Sequence, residues 1–236
     1  MNQKEYFEGV REGLPVGLGY LSVSFGFGTL TAAQGIRALD AALISATNVT
    51  SAGQFAGLTL IIACAGLWEM ILTQLVINSR YALMSLALSQ RMGEKIGFLP
   101  RLLVAFMNTD EIFALAMARK KALTVPYLFG LGLLPFLGWT GGTLMGALAG
   151  SLLPENIRSA LGVMLYGMFI AIVVPPARRE KSVLTAAMLA LGLSCLFAWV
   201  PLLQNVSAGI SIVICTAAAA AVCAVLFPVA DEEGAE

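Results

Sequence analysis

The stretch "LISATNVTSAGQFAGLTLI", residues 43–61, is long enough and uncharged enough to cross a bilayer. Its first half nevertheless carries six hydrogen-bonding side chains, Ser45, Thr47, Asn48, Thr50, Ser51 and Gln54. On a helix Thr47, Thr50 or Ser51, and Gln54 form a stripe at i, i+3/4 and i+7, with Asn48 beside it. Gly53 and Gly57 allow close approach of a neighbour or local unwinding, so the segment reads either as a continuous helix with a polar stripe or as a helix broken near Gly53. Such a stripe can face a water-filled path, bind a substrate through exposed backbone groups, or hydrogen-bond a neighbouring helix. Asn-Val-Thr at 48–50 also fits a glycosylation acceptor, but that modification needs an exposed loop.

Around this stretch the sequence is membranous. Of 236 residues 58% are hydrophobic and 12% charged, with a mean hydropathy of +0.85, where a soluble domain carries about 25% charged residues. The apolar residues come in blocks of roughly 20, the length of a helical span, and they lack the alternation of a transmembrane β-barrel. The chain is therefore expected to be all-α, a polytopic helical membrane protein with six to eight hydrophobic segments forming a single membrane domain over residues 1–236. The blocks fall near 13–34, 41–64, 66–89, 100–118, 123–152, 159–176, 182–201 and 206–228. Residues 1–12 read as a short interfacial helix or a polar tail, and 229–236 as an acidic tail.

Composition excludes several function classes. Fourteen basic and fourteen acidic residues balance, which gives no charge excess for nucleic acid. Cys64, Cys195, Cys215 and Cys223 lie in apolar blocks without CxxC spacing and read as small buried hydrophobes. Histidine is absent, which removes His-based catalysis and the usual zinc sites. No metal and no cofactor are expected.

Lysine and arginine favour the cytoplasmic side of membrane proteins. "RKK" at 119–121 and "ARREK" at 177–181 share a side if the two segments between them both span. Arg91, Lys95 and Arg101 precede the 100–118 block and would then lie outside. Either one segment within 41–118 is re-entrant, or the rule is broken. Glycines recur four apart at Gly9, Gly13 and Gly17, at Gly53 and Gly57, and at Gly138, Gly142, Gly146 and Gly150, a pattern that lets helices approach closely in lipid. Pro15 and Pro135 in the same blocks make local breaks there an expectation. "GTLTAAQ" at 28–34 and "GTLMGAL" at 142–148 point to an internal repeat of the kind found in transporters.

Charged side chains inside spans cost roughly 2.5–3.5 kcal/mol each on insertion and are functional candidates. Four qualify: Glu69, Arg80, Asp110 and Glu111. Glu69 lies near the start of its segment and reads as interfacial. Glu69, Thr73 and Arg80 share one helical face, while Gln74, Asn78, Tyr81 and Ser85 line nearly the opposite one, so the segment is either surrounded by protein or broken near Asn78. Asp110 and Glu111 point about 100° apart on a helix. One can pair with Arg80 or exchange a proton while the other is held by hydrogen bonds; alternatively both anchor helices structurally.

Three stretches, "SATNVTSAGQFAGLTL", "VINSRYALMS" and "FMNTDEIFALA", resemble the small-residue and Gln-Phe, Asn-x-Arg-x-x-Leu and Asp-Glu motifs of the AzlC family, in the same order. The hydropathy plan is similar from about residue 5 to 228. Tyr81 departs from the family pattern, which carries His after the Arg, and this puts a proton role at that position in doubt. The resemblance implies the larger subunit of a branched-chain amino acid exporter in the bacterial inner membrane. It also implies a small hydrophobic partner subunit of AzlD type and coupling to the proton gradient.

On both lines the expected function is alternating access around a site at the middle of the bilayer. Asn48, Ser51, Gln54, Asn78 and Arg80 are the candidate substrate-binding residues, and Asp110 and Glu111 the candidates for ion or proton coupling. The carboxylate of an amino acid is expected near Arg80 or at helix N-termini freed by breaks near Gly53 or Asn78, and its ammonium at Asp110 or Glu111. A passive channel or pore subunit is the alternative, and it predicts polar residues along a whole path. A membrane-embedded enzyme would need a Ser-Lys or paired-aspartate site, and no lysine or second aspartate lies inside a span. The lipid bilayer and the amino acid are the remaining partners, with a higher oligomer left open.

Overall fold

The computed structural model describes residues 3–92, 96–150, 152, 154, 156, 170 and 173–228. These are helices and short connections, with no strand among the described residues. Among the described residues five helices are long and apolar enough to cross a membrane: α1 (Gln3–Ala33), α4 (Leu67–Arg91), α7 (Val125–Gly150), α8 (Lys181–Trp199) and α9 (Ala208–Leu226). Four shorter helices come as two pairs, α2 (Ala38–Thr47) with α3 (Ser51–Ile62), and α5 (Phe98–Met107) with α6 (Asp110–Ala118). Of the expected segment 159–176 only 170 and 173–176 are described, as part of helical 173–179 in the latter case; Lys95 and the tail 229–236 lie outside the described residues. The chain forms two compact units, Met1–Leu58 with Asn78–Tyr166, and Thr59–Ile77 with Gly167–Glu236.

The first unit is built on α1 and α7, whose glycines interlock along their whole length. A methyl group on Gly9 or Gly13 would overlap the backbone of Tyr127 or Leu131, one on Gly142 that of Leu21, and one on Gly146 that of Phe25. Contacts advance together along both helices, so α1 and α7 run parallel. "GTLTAAQ" and "GTLMGAL" lie on these two helices, where Gly28 rests against Thr143 and Gly146. In lipid this backbone proximity supplies the dispersion that hydrophobic burial supplies in water. Pro15 and Pro135 sit inside continuous helices, so the breaks expected there do not occur.

Residues 3–12 are the first turns of α1, not a separate interfacial helix. At 31 residues the helix is about 46 Å long against a hydrocarbon core of about 30 Å. Its N-terminal end carries Glu5, Glu8 and Glu12 on one face. Glu8 pairs with Arg119 at 3.1 Å and Lys121 at 2.8 Å, Glu5 accepts from Thr124 at 2.7 Å, and Glu12 accepts from Tyr127 at 2.5 Å. This fixes the α6–α7 junction to the N-terminal end of α1.

The paired short helices are re-entrant hairpins. Ser45 on α2 and Gln54 on α3 would lie about 13 Å apart along one helix, yet their side chains hydrogen-bond at 3.0 Å. The chain therefore doubles back at 48–50, and the break falls a turn earlier than the expected Gly53. The α2–α3 hairpin leaves from the C-terminal end of α1, where Gly35 takes a left-handed φ of 75°. Gly35 and Ile36 donate to the Ala32 and Thr31 carbonyls at 3.0 Å each, a Schellman stop for which glycine is best suited.

The α5–α6 hairpin opens at the other end. Arg101 at its start donates to the Ser89 carbonyl at 2.8 Å, while Arg91 reaches the Met117 and Arg119 carbonyls at its finish. Both legs thus return to the C-terminal end of α4. Leu88 and Met92 of that end pack with Val104, Ile112, Ala116 and Tyr127 in one buried cluster. A helix followed by a hairpin occurs twice, and the hairpins enter from opposite ends of α1.

In the second unit Glu69, expected to be interfacial, caps a helix. Its Oε1 accepts from the Gly209 N–H at 2.7 Å at the start of α9, where the helix dipole favours a carboxylate. Gly209 permits this approach, because a methyl there would stand 2.6 Å from Glu69 Cγ and 2.7 Å from Thr73 Oγ1. On α8 no residue is buried within the chain.

Candidate functional site

Each hairpin turns on an asparagine followed by a threonine. At the first, the Asn48 N–H closes α2 on the Ile44 carbonyl and the Thr50 hydroxyl accepts from the Gly53 N–H at 3.4 Å. At the second, the Asn108 N–H closes α5 on the Ala105 carbonyl and the Thr109 hydroxyl accepts from the Ile112 N–H at 3.4 Å. The asparagines close their helices through the backbone N–H, whereas threonine opens a helix because its short hydroxyl side chain accepts from an orphaned N–H. Asp110 and Glu111 fill the first turn of α6, where the helix dipole favours negative charge. The first turn of α3 holds no acid.

Both tips meet the middle of α1, α4 and α7. Tyr20 of α1 donates its hydroxyl towards Thr109 Oγ1 at 2.7 Å and towards Glu111 Oε2. Its ring stands edge-on to Trp139 of α7 at 5.2 Å, and Trp139 Nε1 donates to Gln54 Oε1 at 3.2 Å. Ser45 also donates to that oxygen and lies 2.6 Å from Thr143 Oγ1. From α4, Arg80 pairs with Asp110 at 2.8 Å and donates to the Tyr81 hydroxyl at 3.1 Å, while Tyr81 hydrogen-bonds Thr50. Neighbours on α1, α4 and α7 thus hold one tip each, and the site is a layer of polar groups between apolar halves.

The residues singled out in the sequence fall around this layer unevenly. Gln54 is fully buried, Asn108 nearly so, and Arg80 and Asp110 are half exposed. Asn48 closes α2 and Ser51 opens α3 at the first tip. Asn78 sits two residues before Arg80 on an uninterrupted α4, so the break expected there is absent. The side chains on α4 are accommodated by protein instead, since Ser85 faces Asn108 at 3.4 Å and Arg80 faces Asp110. Sequence reasoning missed Tyr20, Trp139 and Thr143, and noted Ser45 only among the polar side chains of 43–61. The signal available was the position of both aromatics midway along the two glycine-laddered helices.

Fold and polar layer define a polytopic α-helical membrane protein with two opposed re-entrant hairpins. It belongs to the AzlC family: residues 15–153 match the family described as AzlC protein. The chain is 28% identical to the inner membrane protein YgaZ of Escherichia coli strain K12 over 191 residues, covering 78% of each chain. It is 30% identical to an uncharacterized membrane protein of Archaeoglobus fulgidus over 71% of this chain and 74% of that one. With an uncharacterized membrane protein of Helicobacter pylori strain J99 it shares 32% identity over 70% of this chain and 72% of the relative. No solved structure matches. Family membership and these membrane-protein relatives support a role related to membrane transport.

Proposed function

We propose that this protein is the large subunit of a two-component permease that exports branched-chain or related amino acids across the bacterial inner membrane. The observation that carries the reading is the Arg80–Asp110 pair, with Glu111 beside it, held between two hairpin tips in the middle of the helices. A half-exposed zone with both charge signs suits a zwitterion, and α3, with no acid in its first turn, presents an uncompensated dipole there. Asn48, Ser51, Gln54, Asn78 and Arg80 line the substrate side of this reading. An apolar wall accepts the branched side chain, with weak discrimination among Val, Leu and Ile because one methylene is worth about 1–3 kcal/mol.

Alternating access follows from the division of labour between elements. The α1–α7 pair is locked by glycine contacts along its length and serves as the fixed frame. The hairpins pack on that frame along their legs, as Val104, Ile112 and Ala116 do with Tyr127 and Leu131, while at their tips they meet it through single polar side chains, and these tip contacts can exchange. Glu111 accepts from Tyr20; a proton arriving on Glu111 removes the charge that strengthens this bond and frees the second tip to move. Asp110 and Glu111 are thereby the coupling residues. The small hydrophobic subunit of AzlD type has room along α8, which buries no residue within the chain.

A passive pore would require polar side chains along a continuous path. The polar groups described here instead form one layer, which favours an occluded site. Efflux of labelled leucine from vesicles, at equal membrane abundance and with the small partner present, tests the proposal. Arg80→Ala and Asp110→Asn are each expected to lower gradient-driven efflux by at least about tenfold, the effect of losing roughly 1.4 kcal/mol. Unchanged efflux in both variants contradicts the site, and absence of efflux in the wild type contradicts the substrate class.

A further inference from the structure

We propose that the tip of the first hairpin is the carboxylate subsite of the transported amino acid, formed by the Gln54 amide nitrogen and the N-terminus of α3. This inference rests on the export reading above and assigns one pole of the substrate within that site.

Gln54 is fully buried, and its side-chain oxygen is doubly used, by Ser45 Oγ at 3.0 Å and Trp139 Nε1 at 3.2 Å. An indole nitrogen can only donate, so the amide oxygen must face Trp139 and the NH₂ group must point the other way. That nitrogen, with two hydrogens, has no acceptor among the described residues. Buried donors are ordinarily satisfied, and an exception calls for an acceptor supplied from elsewhere.

Where the donors point follows from helix geometry. Gln54 lies one turn after Thr50 on the same face, and helical side chains lean towards the N-terminus. The amide thus leans towards the end of α3, where Thr50 takes the Gly53 and Gln54 N–H groups and the Ser51 and Ala52 N–H groups precede the first helical bond. With no acid in its first turn, this end keeps the positive dipole that the Asp110 and Glu111 carboxylates offset at α6. The guanidinium of Arg80 is engaged by Asp110 and Tyr81. The second tip carries the complementary group, Asn108 Oδ1, a buried acceptor with no donor among the described residues. A zwitterion laid between the tips places its carboxylate at Gln54 and its ammonium at Asn108 and the adjacent carboxylates.

The purified protein in lipid nanodiscs tests this through ligand-dependent thermal stabilisation by leucine, by leucinamide, which lacks the carboxylate, and by 4-methylpentanoate, which lacks the ammonium. Wild type is expected to bind leucine at least about tenfold more tightly than leucinamide. Gln54→Glu, which sets a like charge against the carboxylate, is expected to weaken leucine by about tenfold or more while leucinamide changes by less than about threefold. Should Gln54→Glu fail to fold, Gln54→Met keeps the volume without the donors and is expected to bring the leucine-to-leucinamide ratio towards one. Equal losses for both ligands, an unchanged ratio, or a wild type that prefers neither carboxylate overturn the subsite. Leucine that binds with this preference but is not exported from vesicles overturns the export reading alone.

Discussion

Arg80 and Asp110 meet at 2.8 Å, and neither has a low-cost substitute. Lysine at 80 offers a point charge where the guanidinium spans Asp110 and the Tyr81 hydroxyl, so Arg80→Lys is expected to recover only part of the leucine efflux lost in Arg80→Ala. Tyr20→Phe keeps the stacking on Trp139 but removes the donor to Thr109 and Glu111. Gradient-driven leucine efflux should then fall, because the second tip loses its tie to α1; unaltered efflux would place the coupling contact elsewhere. In the second unit Gly209→Ala sets a methyl against Glu69 and Thr73, costing about 1–3 kcal/mol by overpacking, which a lowered thermal midpoint of the purified protein would register. At this scale the sequence pointed to Arg80, Asp110, Glu111 and Gln54 because each is expensive in a span. It was silent on Tyr20, Trp139 and Thr143, since an aromatic ring or a hydroxyl in an apolar segment carries no comparable cost.

The elements were legible as apolar blocks, and their interruptions only in part. Polar crowding at 45–54 announced an irregularity, but glycine was the wrong marker for its position. The chain turns at Asn48–Thr50 and again at Asn108–Thr109, where one residue closes a helix and the next opens another. Asn78 and Ser79 offer the same residue types, yet α4 passes through them unbroken. Glycine instead marks the α1–α7 contact. Gly13→Ala and Gly142→Ala, facing backbone, should each destabilise by about 1–3 kcal/mol and lower membrane abundance. Gly19→Ala and Gly141→Ala, whose Cβ positions are open, should be neutral or stabilising by up to about 1 kcal/mol. Equal tolerance at all four positions would contradict the interlocked pair.

For the molecule as a whole, the re-entrant hairpins resolve the conflict between charge and crossings that the sequence left open. With α5–α6 returning to its point of entry, Arg91 and Arg101 lie at the same end of the first unit as Arg119 and Lys121, joined there by contacts to Ser89, Met117 and Glu8. The positive-inside rule then predicts that this end of the unit faces the cytoplasm. Hydropathy could not reveal this, because two half-helices and one full span of equal length have the same average. Side-specific labelling of single cysteines at Gly97 and Lys121, in a background with the four native cysteines replaced, measures the point directly. Both positions are expected to react only with reagent on the cytoplasmic face, and a cysteine at Gly35 only with reagent on the opposite face. Labelling of Gly97→Cys and Lys121→Cys from opposite faces would make 98–118 a full crossing and contradict the two-hairpin site.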